Sequence, residues 1–272
     1  MDEHERFRRF ERDGWSEVAS RYHGSFGALT AQATEPLLAR AGVEQGARVL
    51  DLACGTGLLA AGALARGAVV TGVDLVPAMI DEARARVPAA RFETADAERL
   101  PYDDGAFDVV VCGFGVLHFP RPELVAVEVH RVLAAGGRFA FSAWRPPEHS
   151  PYLALVGEAL RRHGRLDAPL PPGPPPYRLG NEDAAIALLV DAGFAEPHTM
   201  EVPVIVRLSD ATDVLAPLLE GGVRSRKVLE AQTPEALALV HADAARAAQS
   251  FRVGDRFEIP RPALIASGVR RG

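Results

Sequence analysis

The ten residues Arg48 to Gly57, RVLDLACGTG, constrain this chain more than any other stretch. An apolar run (Val49, Leu50, Leu52) carries one acid, Asp51, and gives way to small residues and two glycines, Gly55 and Gly57. A buried strand that ends in a glycine loop, with a helix behind it, predicts the opening unit of a nucleotide-binding α/β domain. Glycines let a backbone approach a ligand closely and adopt angles that a Cβ forbids. Gly55-x-Gly57-x-x-Ala60 also matches the dinucleotide fingerprint, so the loop alone leaves the choice of nucleotide open.

Alternation continues downstream. Strands are predicted at 48–52, 68–73, 91–94, 107–112 and 138–143, with helices at 57–66, 77–87 and 122–133. Pro77 and Pro122 stand at helix starts, where a missing N–H costs nothing. Asp103-Asp104-Gly105 has turn composition. Gly136-Gly137 is expected to break the helix before the fifth strand. Continuously apolar strands alternating with helices predict a parallel sheet covered on both faces. Upstream, Trp15, Val18, Ala19 and Tyr22 recur at helical spacing, and a second helix runs through Leu37 and Leu38 with Thr34 as its cap.

After Trp144 a helix over 152–163 leads into LDAPLPPGPPPY, a stiff proline-rich loop. It reads as a connector or as part of a lid. A helix over 181–192, capped by Asn181, precedes a strand over 200–208. Residues 210–250 read as an alanine-rich helical insert that restarts at Thr233-Pro234-Glu235. The last strand is expected over 257–266, bent at its start by Pro260 and Pro262.

A net charge of -6 argues against a nucleic-acid-wide basic surface. No apolar run approaches the ~20 residues that span a bilayer, and the charged N-terminus lacks the apolar segment of a signal peptide. Two cysteines, Cys54 and Cys112, do not make a disulfide framework. A cytoplasmic protein is expected.

Three acids bear on the nucleotide. Asp74, at the end of the second strand, sits where a carboxylate binds ribose hydroxyls. Asp51 would repel a pyrophosphate but can accept from a cationic amino-acid end. Asp96, after the third strand, can accept from an adenine amine, with the N–H of Ala97 available to a ring nitrogen. In order and spacing, VLDLACGTG, TGVDLVPAMIDEAR, ADAERLPYDDGAFDVVVC and HRVLAAGGRFAFSAW resemble the successive motifs of class I S-adenosylmethionine-dependent methyltransferases. The nearest branch is the small-molecule one that includes ubiquinone and menaquinone C-methyltransferases. The resemblance covers about Ala47 to Trp144, and more weakly NEDAAIALLVDAGFAEPHTMEV. Ala53 departs from it where many members carry a first glycine.

The resemblance implies a Rossmann-like, doubly wound, seven-stranded and mostly parallel sheet with its last strand antiparallel. With the segments read from the residues on either side, the chain is expected to divide into an N-terminal helical cap (1–46) and a methyltransferase domain (47–272), the latter carrying a loop or lid at about 145–180 and the helical insert at about 210–250. The resemblance implies S-adenosyl-L-methionine as cofactor, with Asp51, Ala53, Gly55 and Gly57 around its methionine part. Asp74 would take the ribose, Leu75 and Met79 would lie near the adenine, Asp96 and Ala97 would hold its edge, and Cys112 and Gly113 would lie beneath. Met79 fits the core equally well. Cys54 and Cys112 would be neighbours, read as buried thiols ahead of a redox pair.

In-line methyl transfer needs proximity, alignment and water exclusion above all. If the acceptor needs a base, His118 is the candidate, with packing at the following helix as its alternative role. Tyr22 and His23 are candidate substrate contacts if the first helix lies over the ligand mouth, and packing residues otherwise. No metal is expected. The expected partner is a small, largely apolar methyl acceptor, quinone-like or a natural-product scaffold, bound by a monomer or homodimer. A cofactor-binding protein with another reaction, cyclase-like, or a binding role is the alternative. An NAD-dependent reductase is disfavoured by Asp51 and Asp96.

Overall fold

A computed structural model describes residues 2–24 and 26–272; Met1 and Ser25, inside the expected cap, lie outside the described residues. Three helices, α1 (Glu3–Tyr22), α2 (Gly27–Thr30) and α3 (Thr34–Ala41), precede the alternating region. That region runs β1 (Arg48–Leu52), α4 (Leu58–Ala65), β2 (Val69–Asp74), α5 (Pro77–Arg86), β3 (Arg91–Thr94), β4 (Phe107–Gly113), α6 (Pro122–Val132) and β5 (Leu133–Trp144). Then come α7 (Pro151–His163), α8 (Glu182–Asp191), β6 (Phe194–Val202) and β7 (Ile205–Leu208). The chain closes with α9 (Ala216–Gly221), α10 (Val223–Glu230), α11 (Pro234–Ala248), β8 (Arg252–Val253), β9 (Arg256–Pro260) and β10 (Ala263–Arg270).

The main sheet has seven strands in the order β3-β2-β1-β4-β5-β10-β6. β1 pairs in parallel with β2 and β4, as do β2 with β3 and β4 with β5, whereas β10 is antiparallel to both its neighbours. This is the Rossmann-like sheet the motifs imply. Side chains alternate across the strands. Val49, Val70, Val109 and Val111 face one core, with Leu38 of α3, Ala60 of α4 and Ile80 of α5. Leu50, Leu52, Val73 and Val110 face the other, with Val125 and Val129 of α6 and Leu188 of α8. Both faces of every central strand are therefore buried, which is why these strands read as unbroken apolar runs.

Several boundaries differ from the expectations. Thr34 does not cap its helix; it is the first residue of α3, because the preceding turn is already helical and leaves no extended residue to act as cap. Asn181 and Thr233 do cap theirs, accepting from the N–H groups of Ala184 and Ala236. β5 starts at Leu133 rather than Arg138. The two glycines make an irregularity inside it instead of a break, with Gly136 at φ +77° and a register shift against β4.

The two strands expected at 200–208 and 257–266 are each split in two. β6 and β10 belong to the main sheet, whereas β7 and β9 pair in a separate three-stranded sheet with β8. Pro203 and Pro262 mark the crossings, since proline has no N–H for the ladder. At the crossing, between the β6–β10 and β7–β9 ladders, the Arg261 N–H donates to the Val204 carbonyl (2.8 Å). The insert (α9 to α11) thus stands on a β-ribbon that continues past the ligand end of the main sheet.

Gly180 packs so closely that a Cβ would meet the backbone carbonyl of Trp144, which no rotamer change can move aside. Gly180→Ala should therefore lower stability by about 1–3 kcal/mol, read as a reduced urea midpoint.

Candidate functional site

Parallel strands point their C-terminal ends one way, and β1 is flanked there by β2 and β4, where the chain's winding reverses. Such a switch point opens a crevice. Here it holds a cavity of about 520 Å³ that joins the motif residues to an apolar chamber beyond them. Ala53, Gly55, Asp74, Leu75, Met79, Asp96, Ala97 and Gly113 all line it. Gly57 and Cys112 do not. Gly57 takes φ +85° at the start of α4 and packs against Val87 and Phe92, so its role is in the loop's shape. Cys112 is fully buried in the core on the far face. Cys54 and Cys112 are both free thiols, and burial raises the pKa of each.

Asp51 lies beneath the loop, 1% exposed. Its Oδ2 accepts the Ala60 N–H (3.0 Å), whereas its buried Oδ1 has no partner. The carboxyl borders a small annex of about 50 Å³ that it shares with Tyr22, Thr56 and Phe114. Burial, with the charge of Asp74 adding to it, pushes its pKa up to about 8. Asp74 ends β2 with Oδ2 accepting from the Gly55 N–H and Oδ1 from the Val76 N–H, both at 2.9 Å. Its own pKa is also raised by burial. Each oxygen keeps a lone pair for a further donor.

Backbone conformation marks the same place. Ala53 (φ +53°) and Phe114 (φ +57°) are left-handed, an arrangement that disfavours any residue with a Cβ. The glycine usual at the position of Ala53 is thus explained by conformation as well as by size. Gly115 leaves the room that the Ala53 Cβ and the Cys112 Sγ occupy.

The N-terminal helix lies across the opening, with Arg8, Glu11, Trp15 and Tyr22 on the cavity wall. Charged contacts hold it there. Arg8 pairs with Glu98 (2.7 Å) and Asp96 (3.4 Å), and Glu17 pairs with Arg226 of α10 (2.7 Å). Glu11, 3% exposed, holds His118 Nδ1 at 2.8 Å, and Trp15 meets the same imidazole edge-on. His118 is on the cavity wall; His23 is not. Sequence reasoning missed Arg8, Glu11 and Phe114, because a charged or aromatic residue on a helix or loop gives no periodic sign of its distant partner. The chamber beyond is walled by α7 (Leu153, Val156, Leu160), the proline-rich loop (Leu170, Tyr177) and the insert (Leu218, Leu229). Among the described residues, no group of three or more His, Cys, Asp or Glu is placed to hold a metal ion.

Residues 50–141 match the family model described as a methyltransferase domain. The chain is 45% identical over 106 residues to the demethylmenaquinone methyltransferase of Thermus thermophilus, covering 37% of this chain and 48% of that protein. It is 37% identical over 131 residues to the uncharacterized protein Rv1403c of Mycobacterium tuberculosis, covering 45% of this chain and 48% of that one. It thus spans about half the length of the curated relatives it matches. The fold is similar to that of the YcgJ protein from Bacillus subtilis (TM-score 0.59, 20% identity, 88% of this chain and 98% of that one). The fold is Rossmann-like, and residues 50–141 within it match a methyltransferase domain. That segment resembles the class I S-adenosylmethionine-dependent domains of quinone methyltransferases, a likeness that supports S-adenosyl-L-methionine as the cofactor.

The orphaned Asp51 oxygen fits the cofactor's ammonium, and the Asp74 carboxylate its ribose. Without ligand, Asp51 keeps its proton in the folded protein up to about pH 8 but loses it near pH 4 when unfolded. Unfolding between those values releases a proton, so this group's contribution to stability falls as pH rises. Urea midpoints of the ligand-free protein from pH 5 to pH 9 should therefore decline more steeply for wild type than for Asp51→Asn.

Proposed function

We propose that this protein transfers a methyl group from S-adenosylmethionine to a small, largely apolar molecule. The observation that carries the reading is the continuity of the cavity: cofactor motifs at one end open, without a partition, into an apolar chamber roofed by α1, α7 and the insert. Its volume is in the range that buries one drug-sized ligand or a little more. The likeness to a demethylmenaquinone methyltransferase supports a ring-bearing, quinone-like acceptor.

The cofactor supplies an electrophilic methyl on a sulfonium. The chain's residues bind, align and exclude water, and oriented binding alone is worth roughly 7–11 kcal/mol. Asp51 and Asp74 hold the methionine and ribose ends, Leu75 and Met79 flank the adenine, and Asp96 and Ala97 hold its edge. Gly113 floors the site, and Tyr22 lies on the acceptor side. His118 is the general base. Glu11 at 2.8 Å from Nδ1 selects the tautomer with Nδ1 protonated, which leaves Nε2 as the acceptor of a proton. The helix α1, the loop at 145–180 and the insert act as lids. The protein works in the cytoplasm.

Asp74→Ala should weaken S-adenosylmethionine binding by about 10- to 100-fold in calorimetry, the value of a lost charge-assisted hydrogen bond. Unchanged affinity would remove Asp74 from the site, and NADH competing with S-adenosylmethionine would overturn the choice of cofactor. Mass spectrometry of quinols and phenols incubated with enzyme and cofactor should show the gain of one methyl. His118→Gln should cut that rate by about 10²–10⁴ with cofactor affinity intact; an undiminished rate would leave His118 a packing residue.

A further inference from the structure

Three buried arginines stand around the ligand end of the sheet, and two of them are neutralised. Arg145 pairs with Glu201 (3.0 Å) and Glu182 (3.5 Å), and Arg226 pairs with Glu17 (2.7 Å). Arg261 is the third, 4% exposed, and it lines the cavity. Its Nε and Nη1 are buried without a hydrogen-bond partner, and no carboxylate pairs with it among the described residues. Its guanidinium instead lies among rings, 4.2 Å from the centroid of Trp144, 5.1 Å from Phe26 and 5.4 Å from Tyr152. Ring faces attract a cation but supply no strong acceptor for its N–H groups. A buried charge left in that state is costly, and the cost is recovered when an anion arrives.

The side chain is held in place before any ligand binds. Arg261 sits between two prolines at the crossing from β9 to β10, with its N–H on the Val204 carbonyl (2.8 Å). The neighbouring Pro262 carbonyl accepts from the Arg145 N–H (3.1 Å). Acids on the cavity wall (Glu11, Asp74, Asp96, Glu98) belong to the cofactor end, so the chamber itself offers Arg261 no counter-charge. The cavity is thus polarised: at the cofactor end Arg8 compensates Asp96 and Glu98 and leaves Asp74 without a paired cation among the described residues, whereas at the far side Arg261 has no carboxylate.

Resting on the methyltransferase reading, we propose that the acceptor is a flat, apolar carboxylic acid whose carboxylate docks on Arg261. The planar guanidinium matches a carboxylate in shape, and the surrounding rings suit an aromatic body. Distances agree. Arg261 precedes β10, two strands from β4, which is roughly 10 Å at the usual strand spacing. A small ring system spans that gap, with its carboxylate on Arg261 and its nucleophile above Gly113. Phe114 stacked on Trp144 (4.1 Å between centroids) forms the platform between them.

The test uses full-length protein saturated with S-adenosylhomocysteine and two isosteric probes, 2-naphthoate and 2-naphthamide, titrated by calorimetry. Wild type should bind the carboxylate at least tenfold more tightly than the amide. Arg261→Met should abolish that preference and Arg261→Lys should retain part of it, with S-adenosylhomocysteine affinity within twofold of wild type in both. Equal binding of the two probes by wild type, no binding of naphthoate, or a preference that survives in Arg261→Met would overturn the proposal. Loss of S-adenosylhomocysteine affinity in Arg261→Met would overturn it too, by assigning Arg261 to the cofactor's own carboxylate. Failure of wild type to bind S-adenosylhomocysteine at all would instead refute the methyltransferase reading beneath it. If Arg261→Met does not fold, the acid-against-amide contrast in wild type and Arg261→Lys decides.

Discussion

β1 hydrogen-bonds to β2 on one side and to β4 on the other, and the ligand end of the molecule depends on that placement. The loops that leave these three strands cannot pack over one another, so a crevice opens between them. Into it come the left-handed turn at Ala53 and Gly55, the carboxylate of Asp74 and the strained Phe114. Asp74 couples the first two loops directly, because its oxygen holds the Gly55 N–H. The same residue that lines the cavity therefore also shapes the glycine loop.

Around this crevice the chain builds two environments with opposite electrostatics. Near the loop lie the buried carboxyls of Asp51 and Asp74, their pKa values raised by burial. Farther along, beyond Trp144, the walls are largely aliphatic and aromatic and hold the guanidinium of Arg261, with which no carboxylate pairs among the described residues. The two halves come from different parts of the chain: the alternating α/β core, with Glu11 of α1, supplies the first, and α7, the proline-rich loop, the insert and the β9–β10 crossing supply the second. The insert reaches the cavity because β7 and β9 carry it past the edge of the main sheet on a proline-bounded ribbon.

The alternating core was legible from residue pattern alone. Strands buried on both faces must be apolar throughout, helices between them begin at Pro77 and Pro122, and the ligand end carries acids and glycines at fixed places. The segments 200–208 and 257–266 were not, since a proline bend reads the same within one strand as between two and only pairing partners show that each strand changes sheet. The helix α1 was visible as a helix, but its place across the cavity rests on Glu11 to His118 and Arg8 to Glu98, pairs separated by 107 and 90 residues.

By itself the sequence determined the alternating core and the glycine loop, because each depends on residues close together in the chain whose periodicity and spacing are local properties; the cofactor class rested on the likeness of its motif series to a known family. Tertiary structure decided the rest. It removed Gly57 and Cys112 from the cavity wall, put Glu11 behind His118, left one oxygen of Asp51 bare, and set Arg261 among aromatic rings. All of these are statements about burial and about partners distant in sequence, and neither exists until the chain has folded.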